Sequence, residues 1–427
     1  MTRAPTPPSS ARSSPSSITD VDCWNGDVWD CIVVGAGPAG AMAARQAAIR
    51  GLRTLLVERK VFPREKVCGA CLNQRALTTL AEAGLGSLVA DCGGVPLNRF
   101  QLRCLRGGGD AVRELSLQLP GGAAVSRAAL DESLVRAAEA AGVQFLSGTS
   151  VKVLPREPRQ VGSDTDPREL ELSTCDVSRE PHRRTIRSRV IIAADGLGHP
   201  SLKRLTEFPE RVSASSRIGV GGVVSHEGDL PAGVIGMAVA NWGYAGLVRI
   251  EDGRLNVAAC LDEEVVRHAE HPGAPLIQLL EQSGFGTIRA DLGAWTGTPK
   301  LTRVTETLAS DGVFVVGDAA GYVEPFTGEG IASALVGGLA VADCAARAVR
   351  GSRQAAEQRW RQQWEQLVWR RQQWCRRLAW MLRRPRAIGA AVRVAAAFPA
   401  LARPIVLHLN SPRRQRGRVS IAADDFA

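Results

Sequence analysis

The stretch DCIVVGAGPAGAMAARQAAIRGLRTLLVERK, residues 30–60, limits the fold more than any other part of the chain. The apolar run from Cys31 to Val34 has the length and continuity of a strand buried on both faces. Gly35, Gly37 and Gly40 follow in GxGxxG register, Ala41–Arg50 reads as a helix, and RTLLVE as a second buried strand. Each glycine has a physical reason: Gly35 permits the tight turn, Gly37 lets the backbone approach a pyrophosphate, and Gly40 lets helix and strand touch. The helix N-terminus adds unpaired N–H groups and the positive end of its dipole. Glu58 closes the second strand, where a carboxylate accepts ribose hydroxyls, and Arg59 beside it joins the candidate cofactor-binding set. The pattern predicts a βαβ dinucleotide-binding fold and leaves NAD and FAD both open.

Nearly 300 residues later, DGVFVVGDAAGYVEPFTGEGIASALVGG (311–338) carries a buried strand, Val313–Val316, into Gly317-Asp318. A loop with Pro325 follows, then Gly328-Glu329-Gly330 opening a small-residue helix. This segment resembles the second flavin motif of the FAD-dependent oxidoreductases of the para-hydroxybenzoate hydroxylase superfamily, and within it the geranylgeranyl reductase-like branch. The resemblance covers about residues 28–350 and implies FAD. It places Gly317 and Asp318 at the ribityl hydroxyls, and the N–H groups around Gly328 and Gly330, with Pro325 before them, at the N1/O2 edge of the isoalloxazine. A helix N-terminus there suits the negative charge that reduced flavin carries. SRAALDESLVRAAEAAGV resembles the family's Arg-containing helix start, which sets Arg127 against the pyrophosphate with Asp131 fixing the turn; a solvated helix-end charge is the alternative. RSRVIIAADGLGHPSLKR holds Asp195-Gly196 at the place of the family's DG motif, while Ser201 and Arg204 fall about two positions late and are not carried over.

The fold expected is α/β with an α+β insert. A Rossmann-type, glutathione reductase-like FAD-binding domain spans 28–90, 126–204 and 306–350. An antiparallel-sheet substrate domain spans 91–125 and 205–305, and a basic Trp/Arg-rich helical region occupies 351–427. Residues 1–27, rich in Pro, Ser and Thr, read as a disordered tail. Within the insert, RIGVGGVVS and GYAGLVRIEDGRLNVAACLD read as strands, with EDG as a hairpin signal. Residues 155–189 read as a surface β-meander or a partly mobile insertion. The sheet carries NWGYAGLV where geranylgeranyl reductases place Y-x-W-x-F-P, and the flavin-halogenase W-x-W-x-I-P does not occur. Trp242 and Tyr244 are candidates for the cavity wall, and Tyr244 for a proton donor, with plain packing as the alternative.

FPREKVCGACL (62–72) sets Cys68 and Cys71 in CxxC spacing, which half a zinc site, a redox dithiol and a loop with two thiols all share. Zinc needs a second close pair, and the chain has no other CxxC and no His pair at ligand spacing, so no metal is expected. A dithiol stays open. The resemblance points to the third reading: the family carries P-x-x-K-x-C-G here, with Cys68-Gly69 close to flavin and substrate, making Cys68 a candidate active-site wall residue. The ten cysteines lack a framework spacing and the N-terminus lacks a charged-then-apolar signal, so a reducing cytoplasmic setting is expected. No run reaches the roughly 18 apolar residues of a membrane span.

From Gly351 onward the chain has sixteen Arg, no Lys and four acids, a net of +12, against +10 for the whole chain. Five of the nine tryptophans, at 360, 364, 369, 374 and 380, lie in this segment. On one straight helix to Pro385, Trp360, Trp364, Leu367, Trp374, Leu378 and Leu382 share an arc of about 80°, with Trp369 and Trp380 opposite. One face can pack on the protein body. The other suits an anionic membrane surface or an acidic carrier protein through 352–386, a dimer mate, or a second surface of the same subunit. Nucleic acid is not expected, since no binding fold accompanies the cluster. A peripheral place on the inner membrane face would be compatible with these features.

The function expected is hydride transfer from reduced flavin to an apolar unsaturated substrate, lipid-like or polyketide-like, with NAD(P)H as transient electron donor. Two other readings stay open: an NAD(P)H-dependent flavin monooxygenase hydroxylating an aromatic ring, and a non-catalytic binding protein on a flavoprotein scaffold.

Overall fold

The computed structural model describes residues 28–105, 113–156, 166–174, 183–227, 230–289, 295–324, 326 and 328–398. The expected N-terminal tail, Pro325 and residues 399–427 of the basic region lie outside them. The apolar run after Val28 forms the central strand, Val28–Val34, flanked in parallel by Thr54–Val57 and Arg183–Ala193. Gln144–Leu146 and Val313–Val315 extend the parallel sheet on either side. Strand Arg168–Thr174 pairs antiparallel with Thr149–Val153 on one side and Arg183–Ala193 on the other, so the polar segment does contain a meander.

Helix Pro38–Ile49 lies on this sheet, and helix Glu329–Arg350 lies on that helix. The two approach so closely that a Cβ on Gly338 would meet the Ala39 carbonyl and stand 3.0 Å from Met42 Cβ. The close packing explains why GEGIASALVGG is built from small residues. Glu329–Arg350 is also, among the described helices, the one long and apolar enough to cross a membrane, although Asp343 interrupts its apolar run. Two thirds of its apolar window is buried inside the protein.

A second sheet runs Thr287–Arg289, Ile218–Glu227, Leu255–Leu261, Gly243–Arg249, Val234–Ala240, Arg99–Cys104 and Arg113–Gln118. It is antiparallel except where Val234–Ala240 meets Arg99–Cys104. The EDG signal makes the hairpin expected, with Arg249 opposite Leu255. One face packs on helix Ala274–Gln282, and Trp242 joins that cluster. Tyr244 joins the cluster on the opposite face. Trp242 is therefore not on the cavity wall, because the tight turn into Gly243 swings the indole to the other side of the sheet.

The basic region is helical but not one regular helix. Arg353–Trp364 and Arg370–Leu382 are joined by a π-helical turn, Glu365–Trp369, and followed by Pro385–Ala397. An i→i+5 turn holds one extra residue and sets everything downstream back by about 100°. Trp360 and Trp364 are in the core, Val368, Cys375, Ala379 and Leu382 continue the buried face, and Trp374, which a straight helix puts on one arc with Trp360, is 51% exposed. Trp380 is 59% exposed. Trp360 also donates its indole N–H to the Val315 carbonyl at 3.1 Å. Trp360→Ala should lower the unfolding free energy by about 3–5 kcal/mol, whereas Trp374→Ala should change it by less than about 0.5 kcal/mol. Urea titrations of the two variants check this, and similar costs would refute the shifted phase.

Candidate functional site

The GxGxxG turn folds as its spacing requires. Gly35 adopts φ +98°, and a Cβ there would stand 2.5 Å from the Ala194 carbonyl oxygen. A Cβ on Gly40 would collide with the Gly35 carbonyl and press on Ala194. Gly37 caps helix Pro38–Ile49, and the point its Cβ would occupy is 3.5 Å from the guanidinium of Arg127 and 3.6 Å from that of Arg64. Two buried cations thus converge on the positive end of a helix.

Arg127 begins helix Arg127–Glu139, whose Ser126 Oγ accepts the Ala129 N–H. Its Nε and Nη2 donate to Asp131 at 3.0 and 2.7 Å. Arg64 reaches the same carboxylate at 3.2 Å and Glu58 at 3.4 Å. Burial opposes the charge on Arg127, but Asp131 outweighs it and holds the guanidinium above its ordinary range. Arg127 is buried, not a solvated helix-end charge. Glu58 accepts the Ala36 and Lys60 N–H groups at 3.0 and 3.1 Å, which fixes its carboxylate at the end of the second strand. Arg59, counted with the cofactor set from sequence, is exposed, because the chain leaves the sheet after Glu58 and turns that side chain outward. The inward guanidinium is Arg64, which sequence reading passed over although it lies in the loop singled out for its cysteines. Its Nε is buried without a hydrogen-bonding partner.

At the other end of the groove, Gly317 and Asp318 lie in a short 3₁₀ turn, with Lys66 Nζ 3.5 Å from Asp318. Gly328, at φ +68°, caps helix Glu329–Arg350, and Gly330 faces Tyr322. The Glu329 carboxylate accepts from Asn73, Arg75 and Arg371 at 3.3, 2.9 and 3.1 Å, which ties the helix start to the C-terminal arm. One groove runs from Gly37 and Arg127 past Cys68 to Asp318, Gly328 and Gly330. Asp195 does not line it; Gly196 does. Asp195 Oδ2 accepts the Ser201 N–H at 2.7 Å while Oδ1 is buried without a partner, and burial raises the pKa. Ser201, excluded from the motif by its offset, is thus the residue that holds the DG aspartate.

Beside the groove opens a cavity of about 680 Å³. Its roof is the second sheet, with Phe100, Leu102, Met237 and Tyr244, and its far side is the C-terminal arm, with Leu378, Leu382 and Val392. Cys68, Gly69, Lys66, Asp318, Tyr322 and Gly328 border both groove and cavity. Cys68 is half-buried there, its carbonyl accepting from Asn256 at 2.8 Å. The Cys71 thiol donates to the Gly69 carbonyl at 3.1 Å, and burial followed by the neighbouring Cys68 pushes its pKa up. Among the described residues no His/Cys/Asp/Glu group could hold a metal. Tyr244 packs edge-on against Phe326 at 5.2 Å, and burial, then Cys260 and Glu324, raise its phenol well above the ordinary range. Tyr322, not singled out from sequence, meets both spaces; only its neighbourhood in the second flavin motif marked it.

The donor set fits FAD. A helix N-terminus and two guanidiniums suit a pyrophosphate, Glu58 a ribose, and the left-handed Gly328 opens backbone N–H groups toward the groove. The comparisons agree. The profile of the FAD binding domain family matches residues 29–359. A menaquinone reductase of Mycobacterium tuberculosis is 28% identical over 325 residues, 71% of this chain and 73% of that protein. Digeranylgeranylglycerophospholipid reductase 1 of Methanothermobacter thermautotrophicus is 28% identical over 340 residues, 75% of this chain and 77% of that protein. The solved structure of the flavin-dependent brominase Bmp2 shares the fold, with TM-score 0.72 and 17% identity over 90% of this chain and 94% of that one.

Removing one partner of a buried, hydrogen-bonded charge pair costs about 2 kcal/mol or more, roughly thirtyfold in affinity. Arg64→Ala should weaken FAD binding by at least that factor, while Arg59→Ala should leave it within about twofold. Titration of the apoprotein, followed by flavin fluorescence, distinguishes the two, and equal affinities would remove Arg64 from the site.

Proposed function

Because this chain belongs to the FAD binding domain family and is a flavin-dependent oxidoreductase, we propose that it reduces an apolar unsaturated molecule, lipid-like or polyketide-like, with NAD(P)H as the electron source. The observation that carries the reading is the cavity: about 680 Å³, walled by Leu, Ile, Met, Val and Phe side chains, and sharing its floor with the cofactor groove. Its volume is in the range of small-molecule sites, and such walls select by apolar burial, not by hydrogen-bond readout. Menaquinone and digeranylgeranylglycerophospholipid, for which the two relatives are named, are candidate substrates of this class.

Bound FAD supplies a carrier that accepts two electrons from a nicotinamide and returns them as hydride. The protein's part is positioning and exclusion of water. Arg64, Arg127 and the N–H groups after Gly37 hold the pyrophosphate, and Asp318 takes the ribityl hydroxyls. The N–H groups at Gly328 and Gly330 stabilise negative charge at the pyrimidine edge. Cys68 and Gly69 form the wall against which the substrate lies, and the sheet and arm keep the space dry.

We further propose that the arm rests on an anionic membrane at the cytoplasmic face. Exposed Trp374 and Trp380 stack with Arg377 and Arg384, at 5.1 and 3.4 Å from guanidinium carbon to ring centroid. Val394, half exposed, borders the cavity from the same arm. Trp at a headgroup boundary with Arg above anionic lipid is a favourable pairing. In vesicle flotation, protein should float with phosphatidylglycerol vesicles and not with phosphatidylcholine, and Trp380→Ala should lower the bound fraction severalfold. Equal flotation of the variant, or binding to an acidic carrier protein in place of vesicles, would overturn this placement.

The reductase reading is tested by reducing the holoprotein anaerobically and adding menaquinone. Flavin reoxidation is expected, with a product that stays two mass units heavier after air has returned any quinol to quinone, which places the added hydrogens in the prenyl chain. No anaerobic reoxidation, together with hydroxylation of an aromatic compound in air, would transfer the protein to the monooxygenases.

A further inference from the structure

Reduction of a carbon–carbon double bond needs a proton as well as a hydride, and in a dry cavity that proton must come from a side chain. The chain has two tyrosines in 427 residues, and both line the apolar cavity. Only Tyr322 also lines the cofactor groove. Its hydroxyl is 3.8 Å from the point a Cβ on Gly330 would occupy, beside the helix start that faces the flavin site.

Its backbone is held firmly. Gly321–Tyr322 pairs with Arg303–Val304, the Gly321 carbonyl accepts from Gln372 at 3.0 Å, and Arg303 is anchored on Glu210 at 3.0 and 3.1 Å. A phenol on a paired strand keeps its place better than one on a loop. Burial, then Asp318, Cys260 and Cys68, raise the Tyr322 phenol, with Arg127 opposing. The phenol therefore stands protonated at neutral pH, the form an acid requires. Tyr244, by contrast, sits in the roof against Phe326 and does not reach the groove.

We propose that the Tyr322 hydroxyl is the proton donor of this reaction. The proposal rests on the reductase reading. One alkene carbon receives the hydride from the flavin reduced beforehand by a nicotinamide; the other takes the Tyr322 proton, the π pair of the double bond forming the new C–H bond. The phenolate then recovers a proton from water. General acids contribute typically 10²–10⁴-fold.

The test uses the FAD-loaded full chain, menaquinone as the probe, and anaerobic single turnover, scored by the prenyl-chain product that stays two mass units heavier after air has returned any quinol to quinone. Tyr322→Phe should slow formation of that product by about 100-fold or more and lose the solvent deuterium isotope effect of the wild type, while reduction by a nicotinamide stays within about twofold; Tyr322→His, which carries a proton, should recover part of the rate. Tyr244→Phe, a change in the cavity roof, should keep the solvent deuterium isotope effect whatever its rate. Bound-flavin fluorescence gives a readout independent of turnover: loss of a phenol beside the ring should raise it in Tyr322→Phe and not in Tyr244→Phe. A wild type inert toward menaquinone would overturn the reading and the proposal together. A responsive wild type with an equally fast Tyr322→Phe and an unchanged isotope effect would overturn the proposal alone. Should Tyr322→Phe fail to hold FAD, 3-fluorotyrosine incorporated into the Tyr244→Phe protein labels Tyr322 alone. Because fluorination lowers the phenol pKa and the donor must be protonated, the high-pH fall in rate should move to lower pH, and an unmoved profile would overturn the role.

Discussion

Everything at the site depends on how closely helix Pro38–Ile49 is gripped between the parallel sheet and helix Glu329–Arg350. Gly40 permits contact with the Gly35 turn on one side, and Gly338 permits contact with the Ala39 carbonyl on the other. A methyl group at either glycine would force the layers apart, and dense interiors do not absorb such a shift cheaply. The result is that two helix starts, at Gly37 and Gly328, border one groove although nearly 300 residues separate them. Each presents N–H groups and a positive dipole end, so a cofactor with negative charge at both a pyrophosphate and a reduced ring is held by one rigid pair of helices.

The second dependency is the C-terminal arm. Arg371 reaches Glu329 beside the flavin motif, Trp360 donates to the strand beneath it, and Leu378 to Val394 close the cavity. The same segment therefore stabilises helix Glu329–Arg350 and supplies a wall of the apolar cavity. Its buried face runs from Trp360 to Leu382, and Trp374 and Trp380 point outward.

The parts legible in the sequence were those with strict local geometry. The βαβ unit, the Gly317-Asp318 turn and the EDG hairpin each follow from spacing, because turns and close approaches admit few residue types. Arg127 was reached through resemblance, and its burial on Asp131 came from the fold. The misses were non-local. The π turn carries no Gly or Pro to mark it, so the Trp phase was placed on a regular helix and Trp374 on the wrong face. Arg59 and Arg64 look alike in sequence, and only the path after Glu58 decides which points inward. The grip of the Ser201 N–H on one oxygen of Asp195 was hidden by the same offset that set Ser201 outside the motif. Trp242 and Tyr244 differ by two positions, which in one strand would share a face; the turn between them separates them.

The central claim is that the apolar cavity and the cofactor groove meet, so a molecule in the first touches the ring held in the second. The most direct measurement is a titration of the oxidised holoprotein with a saturated polyprenyl alcohol, which cannot react, recording the visible absorption of the flavin and the heat of binding together. The account predicts a saturable perturbation of the flavin band with the same midpoint as the heat. Saturable heat with an unperturbed flavin band would place the bound chain elsewhere and contradict the account.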